Sequence, residues 1–201
     1  MIISLRPRRG RRHGYKMNII DTDIAGLKIV ETKQIADHRG SFSRWFCLQE
    51  LAAVLNHRTI KQINNSKSVK AGTVRGLHYQ RPPHGEMKIV RCIRGRVWDV
   101  AVDLRTGSPT FLKWQGVELT DNNNRTFVVP EGFAHGYQAL EPDSELLYIN
   151  TEFYTPAFEG ALHPEDPALS IQWPLPVTNL SKRDSESPFL SSDFKGFQHD
   201  H

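Results

Sequence analysis

A chain of 201 residues, 38% hydrophobic and 24% charged, is long enough for one domain with a buried core and too apolar to be disordered. No apolar run approaches the roughly 18 residues that cross a bilayer. Cys47 and Cys92 form neither a disulfide framework nor a zinc pattern, and read as reduced thiols of a cytoplasmic protein. The net charge of +4 belongs to the first sixteen residues, where Arg6, Arg8, Arg9, Arg11, Arg12 and Lys16 meet no acid; the remainder carries −2.

Residues 1–17 therefore read as a disordered basic leader without the apolar stretch of a secretory signal. Nucleic-acid binding or organelle targeting is the alternative use of such a tail. The domain of residues 18–190 is expected to meet neither nucleic acid nor membrane. Residues 18–32 alternate weakly and predict an opening strand. Phe46, Leu51, Val54 and Leu55 fall at near-helical spacing, which predicts a short helix over Phe46–Leu55. From Thr59 onward, short strands separated by turn signals every 8–12 residues or so predict a sandwich or barrel. Ile89–Ile93 and Val97–Leu104 flank Arg94-Gly95 as a tight hairpin. Phe111–Leu119, Thr126–Val129, Gly136–Leu140 and Glu145–Asn150 continue the series, with turns at Gly107-Ser108-Pro109, Asp121–Asn124, Pro130-Glu131-Gly132 and Pro142-Asp143. Beyond Trp173 the Pro-, Ser- and charge-rich chain predicts a surface segment, and residues 191–201 a frayed tail. The expected fold is all-β, with strand edges hidden by jelly-roll packing or closure and a few short peripheral helices.

Two stretches draw attention to chemistry. In Arg75-Gly76-Leu77-His78-Tyr79-Gln80 a histidine follows Gly-Leu within a strand-like run. In Pro130-Glu131-Gly132-Phe133-Ala134-His135, Pro and Gly make a turn and the next strand carries a histidine, as in part of a cupin pattern. Two such histidines could line one barrel mouth. A metal-binding cupin has a second histidine two residues after the first, where this chain has Gln80. His84, Glu86 and His135 are the remaining possible ligands, but the broken spacing argues against a metal site. Arg75 and His78, three apart, face opposite sides of an ideal strand. Either a bulge at Gly76 re-aims one of them or they serve different surfaces.

Ordered blocks extend this picture: Asp37-His38-Arg39-Gly40, Gln62 to Ser68, Arg75 to Gln80, Lys88-Ile89-Val90-Arg91, Gly95 to Arg105, Ser108-Pro109-Thr110-Phe111, Pro130 to Gly136, Leu147-Tyr148, Asp166-Pro167 and Leu180 to Asp184. Over residues 18–190 the sequence resembles the dTDP-4-dehydrorhamnose 3,5-epimerase family. The resemblance implies a cupin-type jelly roll, usually a homodimer, acting without cofactor on a nucleoside-diphosphate 4-keto-6-deoxy sugar. By position it implies His78 as catalytic base, Asp184 as the carboxylate holding it, Tyr148 as the acid on the opposite sugar face and Lys88 near the C4 oxygen. It implies substrate contacts from Arg39, Arg75, Gln62, Asn64, His135 and Arg183. Arg44, which stands where the family usually has a Glu, and Glu159 are expected beside the substrate as well.

These residue types suit that chemistry. A C–H beside a ketone is acidic because its carbanion spreads onto oxygen. Imidazole has a suitable pKa to remove the proton, and a carboxylate fixes its tautomer. A cation at the carbonyl oxygen stabilises the enolate, and guanidinium groups suit the diphosphate. Ile149 in place of a common Lys, and Phe158–Pro164 in place of Arg-Gly-Ile-x-Trp, leave the base, the sugar and the number of carbons inverted open. The competing readings are an epimerase of one carbon or of another nucleotide sugar, a 3,4-ketoisomerase, a metal-dependent cupin and a silent sugar-binding cupin.

Overall fold

A computed structural model describes residues 16–198; the expected leader lies outside them except for Lys16 and Met17. The strands in chain order are β1 (Asn18–Asp21), β2 (Lys28–Glu31), β3 (Gln34–Asp37), β4 (Gly40–Ser43), β5 (Gln62–Ser68), β6 (Val74–Gln80) and β7 (Lys88–Arg94). There follow β8 (Arg96–Asp103), β9 (Trp114–Thr120), β10 (Arg125–Val129), β11 (Phe133–Ala139), β12 (Ser144–Asn150) and β13 (Glu159–Ala161). Two helices of one turn each, α1 (Ala52–Leu55) and α2 (Lys182–Ser185), lie outside the sheets. A six-stranded antiparallel sheet in the order β1-β2-β10-β7-β12-β5 faces a five-stranded one in the order β13-β6-β11-β8-β9, and β3 and β4 form a separate hairpin. The all-β sandwich expected from the strand pattern is the observed one.

Alternation along the strands builds three apolar layers. Val90, Phe127 and Leu146 from one sheet meet Val97, Ala101, Leu119 and Tyr137 from the other, all buried between the sheets. On the outer face of the six-stranded sheet, Ile89, Val128 and Ile149 pack against Leu51, Val54 and Leu55 around α1. On the outer face of the five-stranded sheet, Leu77, Val100 and Val102 pack against Leu169, Trp173, Phe194 and Phe197. Burying a side chain such as Phe127 contributes about 1.5–3 kcal/mol.

Several local expectations are corrected. Residues 18–32 form a hairpin of two strands, not one strand. The helix over Phe46–Leu55 shrinks to Ala52–Leu55, stopped at Asn56 in the left-handed region. The strand expected from Phe111 begins at Trp114, because Leu112 takes a positive φ of 62°. Ile89–Ile93 and Val97–Leu104 are not paired with each other. β7 pairs with β10 and β12, whereas β8 pairs with β11 and β9, so the chain crosses between sheets at Gly95. Gly95 permits this with a φ of 74°, and a Cβ there would meet Ser144 Oγ at 2.7 Å.

The C-terminal segment is more than a surface coil. The buried amide of Gln138 donates to Leu175 O and accepts from Leu175 N, binding the segment like an added strand. Val74 N donates to Asn179 O, and Asn179 Nδ2 to Thr73 Oγ1. Residues 191–198, expected to fray, are docked. Phe197 exchanges backbone hydrogen bonds with Leu104 and Thr106, and its ring packs on Tyr79 at 5.1 Å. The aromatic residues Phe194 and Phe197 supply the burial that holds them there.

Candidate active site

At one end of the sandwich the sheets part around a cavity of about 530 Å³. The inward-facing positions of both sheets supply its walls. His78 on β6 and His135 on β11 sit directly opposite each other in register. Arg75, also on β6, reaches the same cavity because the β6–β11 ladder slips by one residue between His135 and Tyr137. Gly76, at φ 129°, allows the slip; a Cβ there would stand 2.6 Å from Gly136 Cα. The bulge resolves the three-residue spacing of Arg75 and His78. Lys88, Tyr148 and Asn64 enter from the facing six-stranded sheet.

His78 Nε2 lies 2.7 Å from Asp184 Oδ1. Asp184 is fixed in turn by α2. Ser181 caps that helix, its Oγ accepting from Asp184 N at 3.0 Å, and the docked C-terminal segment carries the whole turn to β6. Burial pushes the Asp184 carboxyl up, but bonds from His78, Ser181 and the backbone of Gly76 outweigh it and hold it below its ordinary value of 3.8. An ionised Asp184 selects the His78 tautomer with hydrogen on Nε2, which leaves the Nδ1 lone pair as the proton acceptor.

A second pair lies behind the first. His135 Nε2 is 2.6 Å from Asp99 Oδ1, and both side chains are buried. Burial raises the Asp99 carboxyl above its ordinary range despite the attraction of His135 and Lys88. The sequence reading missed Asp99. Its signal was parity: it shares a strand face with Val97 and Ala101, both wholly buried, and a carboxylate on that face needs a partner. The His135 ring meets Tyr148 edge-on at 5.8 Å. Burial pushes the Tyr148 phenol well up, as do Tyr137 and Asp99, with Arg75 opposing. Tyr148 is therefore a phenol, not a phenolate, at neutral pH.

Lys88 Nζ donates to the His78 carbonyl oxygen at 3.3 Å, joining the two sheets, and pairs with Glu86 at 3.2 Å. Arg75 donates from Nε to Ser68 Oγ and from its terminus to Lys67 O, which aims the guanidinium along one wall. Arg183 lines the mouth and pairs with Glu159 at 2.6 Å. Among the expected site residues, His78, Asp184, Lys88, Tyr148, Asn64, Arg75, His135 and Arg183 line the cavity. Glu159 reaches it only through Arg183.

The other three lie away from it. Arg39 sits at the tip of the β3–β4 hairpin, exposed, with its guanidinium on Asp37. Arg44 is held by Glu50 at 2.6 Å. Gln62 turns along the edge of β5 to donate to Glu152 O. Of the alternative metal ligands, His84 packs against Phe158 and Glu86 binds Lys88. Among the described residues no three His, Cys, Asp or Glu side chains gather as a metal site.

The profile of the dTDP-4-dehydrorhamnose 3,5-epimerase family matches residues 21–192. The chain is 40% identical over 180 residues to the dTDP-4-dehydrorhamnose 3,5-epimerase of Shigella flexneri, covering 89% of this chain and 99% of that one. It is 39% identical over 176 residues to a dTDP-4-dehydrorhamnose 3-epimerase of Streptomyces niveus, covering 87% and 84%. The crystal structure of dTDP-6-deoxy-D-glucose-3,5-epimerase from Legionella pneumophila, in complex with dTDP-4-keto-L-rhamnose, superposes with a TM-score of 0.85 at 39% identity, covering 92% of this chain and 100% of that one.

Proposed function

Because this chain belongs to the dTDP-4-dehydrorhamnose 3,5-epimerase family, we propose that it inverts C3 and C5 of a dTDP-linked 4-keto-6-deoxyhexose by proton removal and return beside the C4 ketone. The observation that carries the reading is the placement of His78 and Tyr148 in one cavity on strands of opposite sheets. A sugar ring lying between the sheets presents one face to each. His78 Nδ1 takes the proton from the C–H bond, whose electrons pass to the C4 oxygen as an enolate. Ionised Asp184 favours the imidazolium that forms. Lys88 stabilises the enolate oxygen; two of its three N–H donors face His78 O and Glu86, and the third serves the substrate. Tyr148 then gives its proton to the carbon from the other face, and the Arg75 charge offsets the phenolate left behind. Both carbons flank one ketone, so one cation and one acid–base pair serve both, once solvent has taken the proton from His78 and returned one to Tyr148. Arg183 and Arg75 at the cavity are suited to the diphosphate.

A second copy of the chain completes the site in this reading. The β3–β4 hairpin and the β5 edge expose Ile35, Phe42 and Ile63 beside Arg39 and Gln62. A homodimer covering these residues would bring Arg39 and Arg44 toward a neighbouring nucleotide. A fully active monomer in sedimentation at micromolar concentration would contradict it. The reading places the protein in the cytoplasm, where it would meet its sugar nucleotide; among the described residues no helix is long and apolar enough to cross a membrane.

The test is deuterium uptake in heavy water, read at each carbon by NMR, with dTDP, UDP, GDP and CDP 4-keto-6-deoxyglucose side by side. Label at both C3 and C5, with dTDP preferred, is expected. The 3-epimerase of Streptomyces niveus, nearly as similar, favours one second reading: label at C3 alone would make this chain a 3-epimerase.

A further inference from the structure

We propose that Glu86 is the positioning residue for Lys88, and that it holds the ammonium against the reacting oxygen through a fixed polar chain running to the cavity wall at Asn64. The inference rests on the epimerase reading above and assigns a role to a carboxylate that this reading leaves unused. Glu86 lies two residues before Lys88, and the two side chains meet at 3.2 Å. Each side chain is only 11% exposed, so this is no solvated surface pair. A carboxylate this enclosed needs its second oxygen satisfied as well. Asn150 does so, donating from Nδ2 to Glu86 Oε2 at 2.7 Å.

The backbone dictates the arrangement. Asn150 stands directly across the ladder from Lys88, and Asn64 directly across from Tyr148. Met87 N donates to Thr151 Oγ1 at 3.0 Å and Thr151 N to Met87 O at 3.2 Å, which fixes the residue between Glu86 and Lys88. Asn150 Oδ1 receives a long 3.5 Å contact from Asn64 Nδ2. Lys88 is flexible, with four rotatable bonds. Without Glu86, only the His78 carbonyl oxygen would direct its ammonium, at 3.3 Å. Electrostatic stabilisation depends on a donor being in place before charge develops, so the ionic clamp acts on the chemical step and not on nucleotide binding.

The test compares Glu86→Gln with wild type by solvent-deuterium exchange into dTDP-4-keto-6-deoxyglucose, with dTDP binding by calorimetry and melting temperature measured on the same preparations. The glutamine keeps the shape and an acceptor for Asn150 but loses the charge. A fall in kcat of about tenfold or more is expected, with KM and the dTDP Kd within about twofold of wild type. Asn150→Ala, which frees Glu86 without removing its charge, is expected to give a smaller loss of the same kind, and it carries the test if Glu86→Gln does not fold. Unchanged kcat in folded Glu86→Gln would overturn the proposal. So would a loss confined to KM and dTDP affinity. Absence of exchange in the wild type would instead defeat the epimerase reading itself.

Discussion

Two histidines stand opposite each other in the five-stranded sheet, each clamped to an aspartate at nearly the same distance, 2.7 Å for His78–Asp184 and 2.6 Å for His135–Asp99. They differ in access. The His78 side chain is 31% exposed toward the cavity, whereas that of His135 is 4% exposed and Asp99 wholly buried. The aspartates respond in opposite directions: Asp184 is held below its ordinary value, and burial raises Asp99 above its own. Identical chemistry thus gives two devices. The accessible pair can take a proton from a ligand and stabilise the resulting charge. The enclosed pair forms a stiff wall against which Tyr148 rests.

Removing each carboxylate breaks the comparison most directly. Asp184→Asn is expected to lower deuterium exchange by roughly a hundredfold or more, because the ring loses its tautomer and its counter-charge. The protein should keep its fold, checked by circular dichroism. Asp99→Ala is expected to act on stability first. It leaves a buried histidine without its partner and should cost about 3 kcal/mol in urea unfolding, with a smaller loss of exchange than Asp184→Asn.

The two shifts also predict opposite dependences on pH. The folded carboxyl of Asp184 is depressed, so its stabilisation is whole above the ordinary value of 3.8 and is lost as pH falls through the folded value. The folded carboxyl of Asp99 is raised, so stability is lost instead as pH rises from 3.8 through its folded value. Urea unfolding between about pH 2 and 5 should therefore show a shallower rise of stability with pH in Asp184→Asn and a steeper one in Asp99→Asn, relative to wild type. Equal slopes in all three would contradict the assigned directions.

The smallest effect is expected far from both pairs. Met17 is buried, and its backbone N donates to Glu50 Oε2 at 2.7 Å. Removing residues 1–16 would turn that amide into an ammonium facing the same carboxylate. Turnover should be unchanged and melting shifted by no more than a few degrees in calorimetry. A large loss of either would assign the leader a part in the domain.

Much of the arrangement was legible because alternation of period two survives in the sequence. The inward positions of β7, β8 and β12 can be counted from Val90, Val97 and Leu146. What alternation does not encode is which sheet a strand joins. Ile89–Ile93 and Val97–Leu104 read as hairpin partners because the turn at Gly95 is equally short whether the chain doubles back or crosses over. His78, Lys88 and Tyr148 stood out by resemblance, and their convergence on one cavity needed the fold. Asp184 came from a segment that looked like surface coil; that segment is held by Gln138, whose side-chain amide catches Leu175 through two hydrogen bonds no pattern announces. Asp99 was hidden for a plainer reason: a carboxylate in a strand reads as solvated until its partner on the neighbouring strand is known. Glu86 was legible only as a possible metal ligand, and its pairing with Lys88 needed the fold.

The central claim is that removal and return of the proton are divided between His78 and Tyr148 on opposite walls. Solvent-deuterium exchange into dTDP-4-keto-6-deoxyglucose, followed carbon by carbon in His78→Asn and Tyr148→Phe, tests it directly. The account predicts no label at C3 or C5 in His78→Asn. In Tyr148→Phe it predicts that some label still enters while net inversion is impaired, since the base remains while the opposite donor is gone. Exchange persisting in His78→Asn, or equal and total loss in both variants, would contradict the division.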